Sequence, residues 1–88
     1  MNIVLVKHAS HGSTYIFSVP ENVMVKKDDI VLCDTNKGES VGYCCCDSFH
    51  LDGSPLEFLV KEYGGKMPLK KVIGRCRVER WAEPELPY

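Results

Sequence analysis

The sequence predicts a mainly β domain, a small SH3-like or OB-like β-barrel of about five strands with one short helix. Three observations carry that prediction. Valine is abundant, ten residues against two alanines, and Val, Ile, Thr, Tyr and Phe favour pleated structure, whereas a helical domain of this size would be richer in Ala. Short apolar runs are separated by clusters of Gly, Pro, Asn and Asp, the punctuation of turns. The strands also follow one another without intervening helices, which disfavours a parallel α/β sheet.

Taken in order, Asn2–His8 reads as a first strand and His11-Gly12-Ser13 as a turn. Thr14–Val19 is a second strand, with Tyr15, Phe17 and Val19 on one face and Thr14, Ile16 and Ser18 on the other. Pro20-Glu21-Asn22 interrupts it, because Pro cannot donate to a ladder. Val23–Val25 reads as a short extended piece, and Lys26–Asp29 as a polar turn before a third strand, Ile30–Asp34. Thr35-Asn36-Lys37-Gly38 is the strongest hairpin signal, since Asn and Gly tolerate the positive φ that tight loops need. A fourth strand follows over Glu39–Cys46, and Gly42 within it signals a bulge or tight bend.

Asp47–Gly53 reads as a loop. Ser54-Pro55 has the form of an N-cap followed by Pro in the first turn. Leu56, Leu59, Val60 and Tyr63 then recur at helical spacing until Gly64-Gly65 ends the helix. Lys70–Arg80 is expected as a long last strand, with Lys71, Ile73, Arg75 and Arg77 on one face and Val72, Gly74, Cys76 and Val78 on the other. Residues 81–88, with Pro84 and Pro87, are expected to form an extended tail. The 88 residues are enough for one domain. Hydrophobic residues make up 44% and charged residues 26%, a globular rather than a disordered balance.

A formal net charge of −1 excludes a uniformly basic nucleic-acid coat, yet the charge is polarised. Residues 20–62 hold nine acids against four lysines, and residues 66–80 hold six Lys and Arg against Glu79. A basic stripe of Lys70, Lys71, Arg75 and Arg77 beside Trp81 has the chemistry to contact phosphates and stack a base. It also has the chemistry of an ordinary solvated strand or of a charged sheet edge.

No apolar run reaches the ~18 residues of a membrane span. Met1–Ser10 lacks the basic n-region and long apolar core of an export signal, so the expected compartment is the cytoplasm. Five cysteines there are expected as thiols, and an odd number excludes a complete disulfide framework. Cys44-Cys45-Cys46 has no metal-ligand spacing, and on a strand Cys45 points away from its neighbours, so the three read as small packing residues. His8-x-x-His11 has no carboxylate at a fixed offset and His50 stands alone. No nucleophile elbow, phosphate-cradling glycine pattern or HExxH occurs. No enzyme and no cofactor is expected.

One ordered set of motifs goes beyond composition. Tyr15–Glu21 forms an aromatic strand ending in Pro. Val25–Leu32 (VKKDDIVL), Gly38 with Val41-Gly42, and Pro68–Ile73 (PLKKVI) follow it. In this order the chain resembles the N-terminal DNA-binding domain of the bacterial primosomal helicase, a module that holds a 3′ end at a stalled fork, over most of residues 1–79. The resemblance implies a small barrel whose Tyr15 and Phe17 occupy the two aromatic positions of the end-binding strand and whose Lys70 approaches the DNA. One departure stands out: the acidic residue that accepts the terminal nucleotide in that family is Ile16 here, and an apolar side chain cannot hydrogen-bond a 3′ hydroxyl. No helicase motor accompanies the likeness.

These readings converge on a non-enzymatic binding module for single-stranded or forked DNA. Lys70, Lys71, Arg75 and Arg77 are expected on phosphates, and Tyr15, Phe17 or Trp81 on bases. The alternative is a protein–protein adaptor or homo-oligomer that adds strands at open barrel edges.

Overall fold

A strand that is apolar on both faces must be covered on both sides, and the first strand is of this kind. In β1 (Asn2–Lys7), Val4 and Val6 point into one core while Ile3 points into another. A computed structural model describes residues 1–76. It holds one sheet of six strands and one helix.

β2 (Thr14–Ser18) pairs antiparallel with β1 from Ile3↔Ser18 to Lys7↔Thr14. β3 (Ile30–Thr35) and β4 (Gly38–Cys44) form a hairpin, and β6 (Val72–Arg75) pairs with the far side of β3. The spatial order is β2-β1-β4-β3-β6, with the two-residue β5 (Phe49–His50) also on β1. All the ladders are antiparallel. β5 lies where the sequence reads as a loop. Ile3↔Phe49 and Asn2↔His50 convert that stretch into a short strand, a long-range pairing that local turn signals cannot announce.

Alternation along β2 holds, but both of its faces are buried. Phe17 and Val19 join Val4, Val6, Val31, Cys33, Cys44 and Val72 in the larger core. Ile16 points the other way and packs with Leu56 and Val60 of α1 (Gly53–Glu62). Each such side chain contributes roughly 1.5–3 kcal/mol by leaving water. The helix begins two residues earlier than the sequence suggests. Asp52, in extended conformation, is its N-cap, and Ser54 and Pro55 fall within the first turn.

The hairpin turn matches its signal. Asn36-Lys37 forms the loop between Thr35 and Gly38, Gly38 has φ 104°, and the Thr35 hydroxyl donates to Gly38 O at 2.5 Å. Gly42 answers a close approach rather than a bulge. A Cβ there would lie 2.6 Å from Val6 Cγ1 and 2.8 Å from Lys7 O. β4 passes from its partner β3 to its partner β1 at this point.

β6 starts two residues later than expected and carries a bulge. Arg75 opposes Val31, Gly74 opposes Leu32 and Val72 opposes Cys33, so Ile73 has no partner. Directly opposed residues share a face. The extra residue therefore breaks the alternation that would group Lys71 with Arg75: Arg75 falls on the side of Val31, whereas Lys71 lies opposite to the buried Val72. The continuation of this strand to Arg80 and the tail 81–88 lie outside the described residues.

β2 and β6 approach each other at the ends of the sheet. Ser18 forms an isolated bridge with Lys71, and its N–H donates to Lys70 O at 2.9 Å. This single junction does not close the sheet.

Three of the five cysteines pack as apolar side chains. Cys33 and Cys44 are fully buried, and Cys46 packs at the margin of the same core while Cys45 points elsewhere. Burial pushes the Cys33 thiol up to about 11 and the Cys44 thiol up to about 12. Among the described residues no three His, Cys, Asp or Glu side chains cluster as metal ligands. No described helix is long and apolar enough to cross a membrane.

Candidate nucleic-acid interface

The approach of β2 to Lys70 at only one junction leaves an open groove of about 910 Å³. Its walls come from the β1–β2 turn, β2, the tip of the β3–β4 hairpin and residues 63–70. Tyr15, Phe17 and Lys70, the three positions carried over from the helicase resemblance, all line it.

Tyr15 owes its place to strand periodicity. It continues the row of Phe17 and Val19 past the end of the core, and its side opens to solvent at 48% exposure. Its ring lies 5.8 Å from that of His8, and His8 meets Phe17 edge-on at 6.0 Å and 84°. His8 Nδ1–H donates to Val41 O at 3.0 Å, which fixes the imidazole between the two aromatic rings. The sequence offers His8 as half of a His-x-x-His spacing, whereas the structure makes it the half-buried support of Tyr15. Phe17 is 5% exposed and presents no free face. Its part is to hold the floor of the groove.

Lys70 is positioned by its own backbone, whose carbonyl accepts from Ser18 N–H, so its stem leaves the chain beside β2. Two further cations reach the groove that the sequence does not single out: Lys37 from the hairpin tip and Lys66 from the segment after Gly64-Gly65. Against Lys37, Lys66 and Lys70 the lining holds one acid, Glu39. The formal balance is therefore positive, in a chain whose total is −1.

The remaining sequence-predicted positions are elsewhere. Lys71 and Arg75 do not line the groove. Arg75 is turned to Asp29, with Nε 3.3 Å from a carboxylate oxygen. Arg77 and Trp81 lie outside the described residues. The six Lys and Arg of residues 66–80 thus divide: Lys66 and Lys70 enter the groove, Lys71 and Arg75 do not, and Arg77 and Arg80 are outside the described residues.

Ile16 explains its own departure from the helicase pattern. It is 6% exposed, packs with Leu56 and Val60, and lies 3.1 Å from the point where a Gly65 Cβ would be. A carboxylate at this position would be buried under the helix, at a cost of several kcal/mol per charge. Comparison with family models, with curated proteins and with solved structures finds no match for this chain.

Proposed function

We propose that this chain is a non-enzymatic binding module that holds single-stranded nucleic acid in the groove beside β2. The observation that carries the reading is the exposed Tyr15 ring, supported by His8, in a groove shared by Lys37, Lys66 and Lys70. Tyr15 offers a face on which a base stacks, a contact that every base can make. The three lysines neutralise successive phosphates. An SH3-like or OB-like small barrel is the framework we assign to this groove, with Ser18–Lys71 as the seam where the two outer strands meet.

The resemblance to the primosomal helicase domain belongs to this proposal and places the ligand on the same strand. Capture of a 3′ terminus is not part of it, because Ile16 supplies no hydrogen bond to a terminal hydroxyl. Internal single-stranded stretches are the expected ligand, and a 3′-phosphorylated oligonucleotide is expected to bind as well as an unmodified one.

Fluorescence anisotropy with a labelled oligonucleotide across a salt series tests the reading. Three phosphate contacts to single-stranded nucleic acid give a slope of log K against log salt near about −2. Absence of binding at low salt removes the proposal. A second reading rests on the fact that, among the described residues, β2 has a ladder partner on one side only. Its outer edge is open to strand addition by an extended peptide. Binding that is insensitive to salt and to nucleic-acid competitors favours that reading instead.

A further inference from the structure

Among the described residues, the outer face of the sheet is covered over one half only. α1 packs on Ile3 and Ile16, with Leu5 at the margin, and so shields the β1–β2 half. On the other half, Ile30, Leu32 and Asp34 of β3 point away from the core that takes Val31 and Cys33. The register sets Tyr43 against Ile30, Val41 against Leu32, and Glu39 against Asp34. Opposed residues share a face, so three rungs stand side by side. Gly74 continues the Leu32 rung on β6 and meets nothing within 4 Å of a Cβ position. Ile30, Leu32 and Tyr43 belong to neither core cluster, and Val41 and Ile73 are 44% and 43% exposed.

The charges around these apolar rungs are arranged end to end. Asp34 and Glu39 are directly opposed at the hairpin end, a like-charge pair that is unfavourable by itself. At the other end Lys7 of β1 is registered against Tyr43. A second copy, turned end for end about an axis in the face and across the strands, sets its Lys7 over Asp34 and Glu39. It also sets its Leu32–Val41 rung over the same rung. We infer that this β3–β4–β6 face is a self-association surface and that its occupant is a second copy of the chain. An isologous contact of this kind needs one patch that carries both signs, and this patch does. A polyanion is disfavoured by the two carboxylates. The inference is independent of the groove, which lies on residues outside this patch except for Glu39 at the hairpin tip.

The size of the face sets the strength. Three strands about 4.8 Å apart and about five residues deep at about 3.4 Å each make a patch of roughly 250 Å². A stable interface buries about 800 Å² per partner. The dimer is therefore weak and forms only at high chain concentration.

Sedimentation equilibrium from low micromolar to about 1 mM chain tests this, with the weight-average mass expected to rise toward twice the single-chain value. Val41→Glu places a carboxylate at the centre of an exposed rung. It is expected to weaken association at least about tenfold while leaving the circular dichroism spectrum unchanged. Lys7→Glu sets a third carboxylate against Asp34 and Glu39 and is expected to weaken association, whereas Lys7→Arg is expected to keep it. A mass that stays at one chain throughout the range overturns the inference, as does association that Val41→Glu leaves intact. Oligonucleotide affinity of Val41→Glu, measured at low concentration, reads the groove separately. Loss of dimer with retained nucleic-acid binding supports both proposals, and loss of nucleic-acid binding by the native chain removes only the groove.

Discussion

Arg75 Nε lies 3.3 Å from a carboxylate oxygen of Asp29, which precedes by two residues the Val31 that Arg75 opposes. The same Asp29 oxygen accepts the Lys26 N–H at 2.8 Å. A cation that the sequence offers to phosphate is thus spent on closing the turn before β3. The pair is partly exposed, and exposed ion pairs contribute about 0–1 kcal/mol. Arg75→Ala is expected to change the melting temperature little and oligonucleotide affinity by less than about twofold. Lys70→Ala and Lys66→Ala are each expected to weaken binding and to lower the magnitude of the salt slope by about 0.7. Anisotropy titrations of the three variants at several salt concentrations check this, and an Arg75 variant that loses slope as the Lys70 variant does would contradict it.

Tyr15 and Phe17 are expected to separate by readout. Tyr15→Ala removes an exposed stacking face, with a loss of about 1–3 kcal/mol in binding and little change in stability. Phe17→Ala opens a cavity in the larger core and is expected to cost about 3–5 kcal/mol of folding stability. Denaturant unfolding beside oligonucleotide titration makes the comparison, and Tyr15→Phe is expected to bind nearly as the native chain does.

Gly42 is held by contact and not by an unusual φ. With Val6 Cγ1 at 2.6 Å and Lys7 O at 2.8 Å from a Cβ there, Gly42→Ala must push β1 away from β4. Overpacking of this kind costs about 1–3 kcal/mol. The same substitution at Gly74, where a Cβ meets nothing within 4 Å, is expected to be near neutral. Urea midpoints of the two variants distinguish the positions.

Cys33 and Cys44 give the fold an alkaline limit. Burial raises their folded-state values to about 11 and about 12, from 9.0 when unperturbed. The unfolded chain then releases these protons first. Stability from both groups is complete below about pH 9 and is lost as pH rises toward the folded-state values. Melting temperature is expected to be flat from pH 7 to about 8.5 and to fall beyond it. Cys33→Ala together with Cys44→Ala should flatten that fall, although the double variant starts from a lower melting temperature. Thiol labelling at pH 8 is expected to spare both residues in the folded protein.

Much of this molecule is local in origin. Alternation along Asn2–Lys7, Thr14–Ser18 and Ile30–Thr35, the Asn36-Lys37 turn with Gly38 after it, and the helical spacing of Leu56 and Val60 are all properties of neighbouring residues, and the sequence alone determined them. Other features depend on pairing between distant segments. The Phe49–His50 strand exists because β1 lies beside it, and the bulge at Ile73 exists because β6 must fit β3. That single unpaired residue parts Arg75 from Lys71. The groove likewise gathers Lys37, Lys66 and Lys70 from segments that share no local signal. Side-chain direction follows from the two-residue period of a strand, which a sequence displays. Which strand lies alongside, and where an extra residue shifts the register, is set by the packing of the whole sheet.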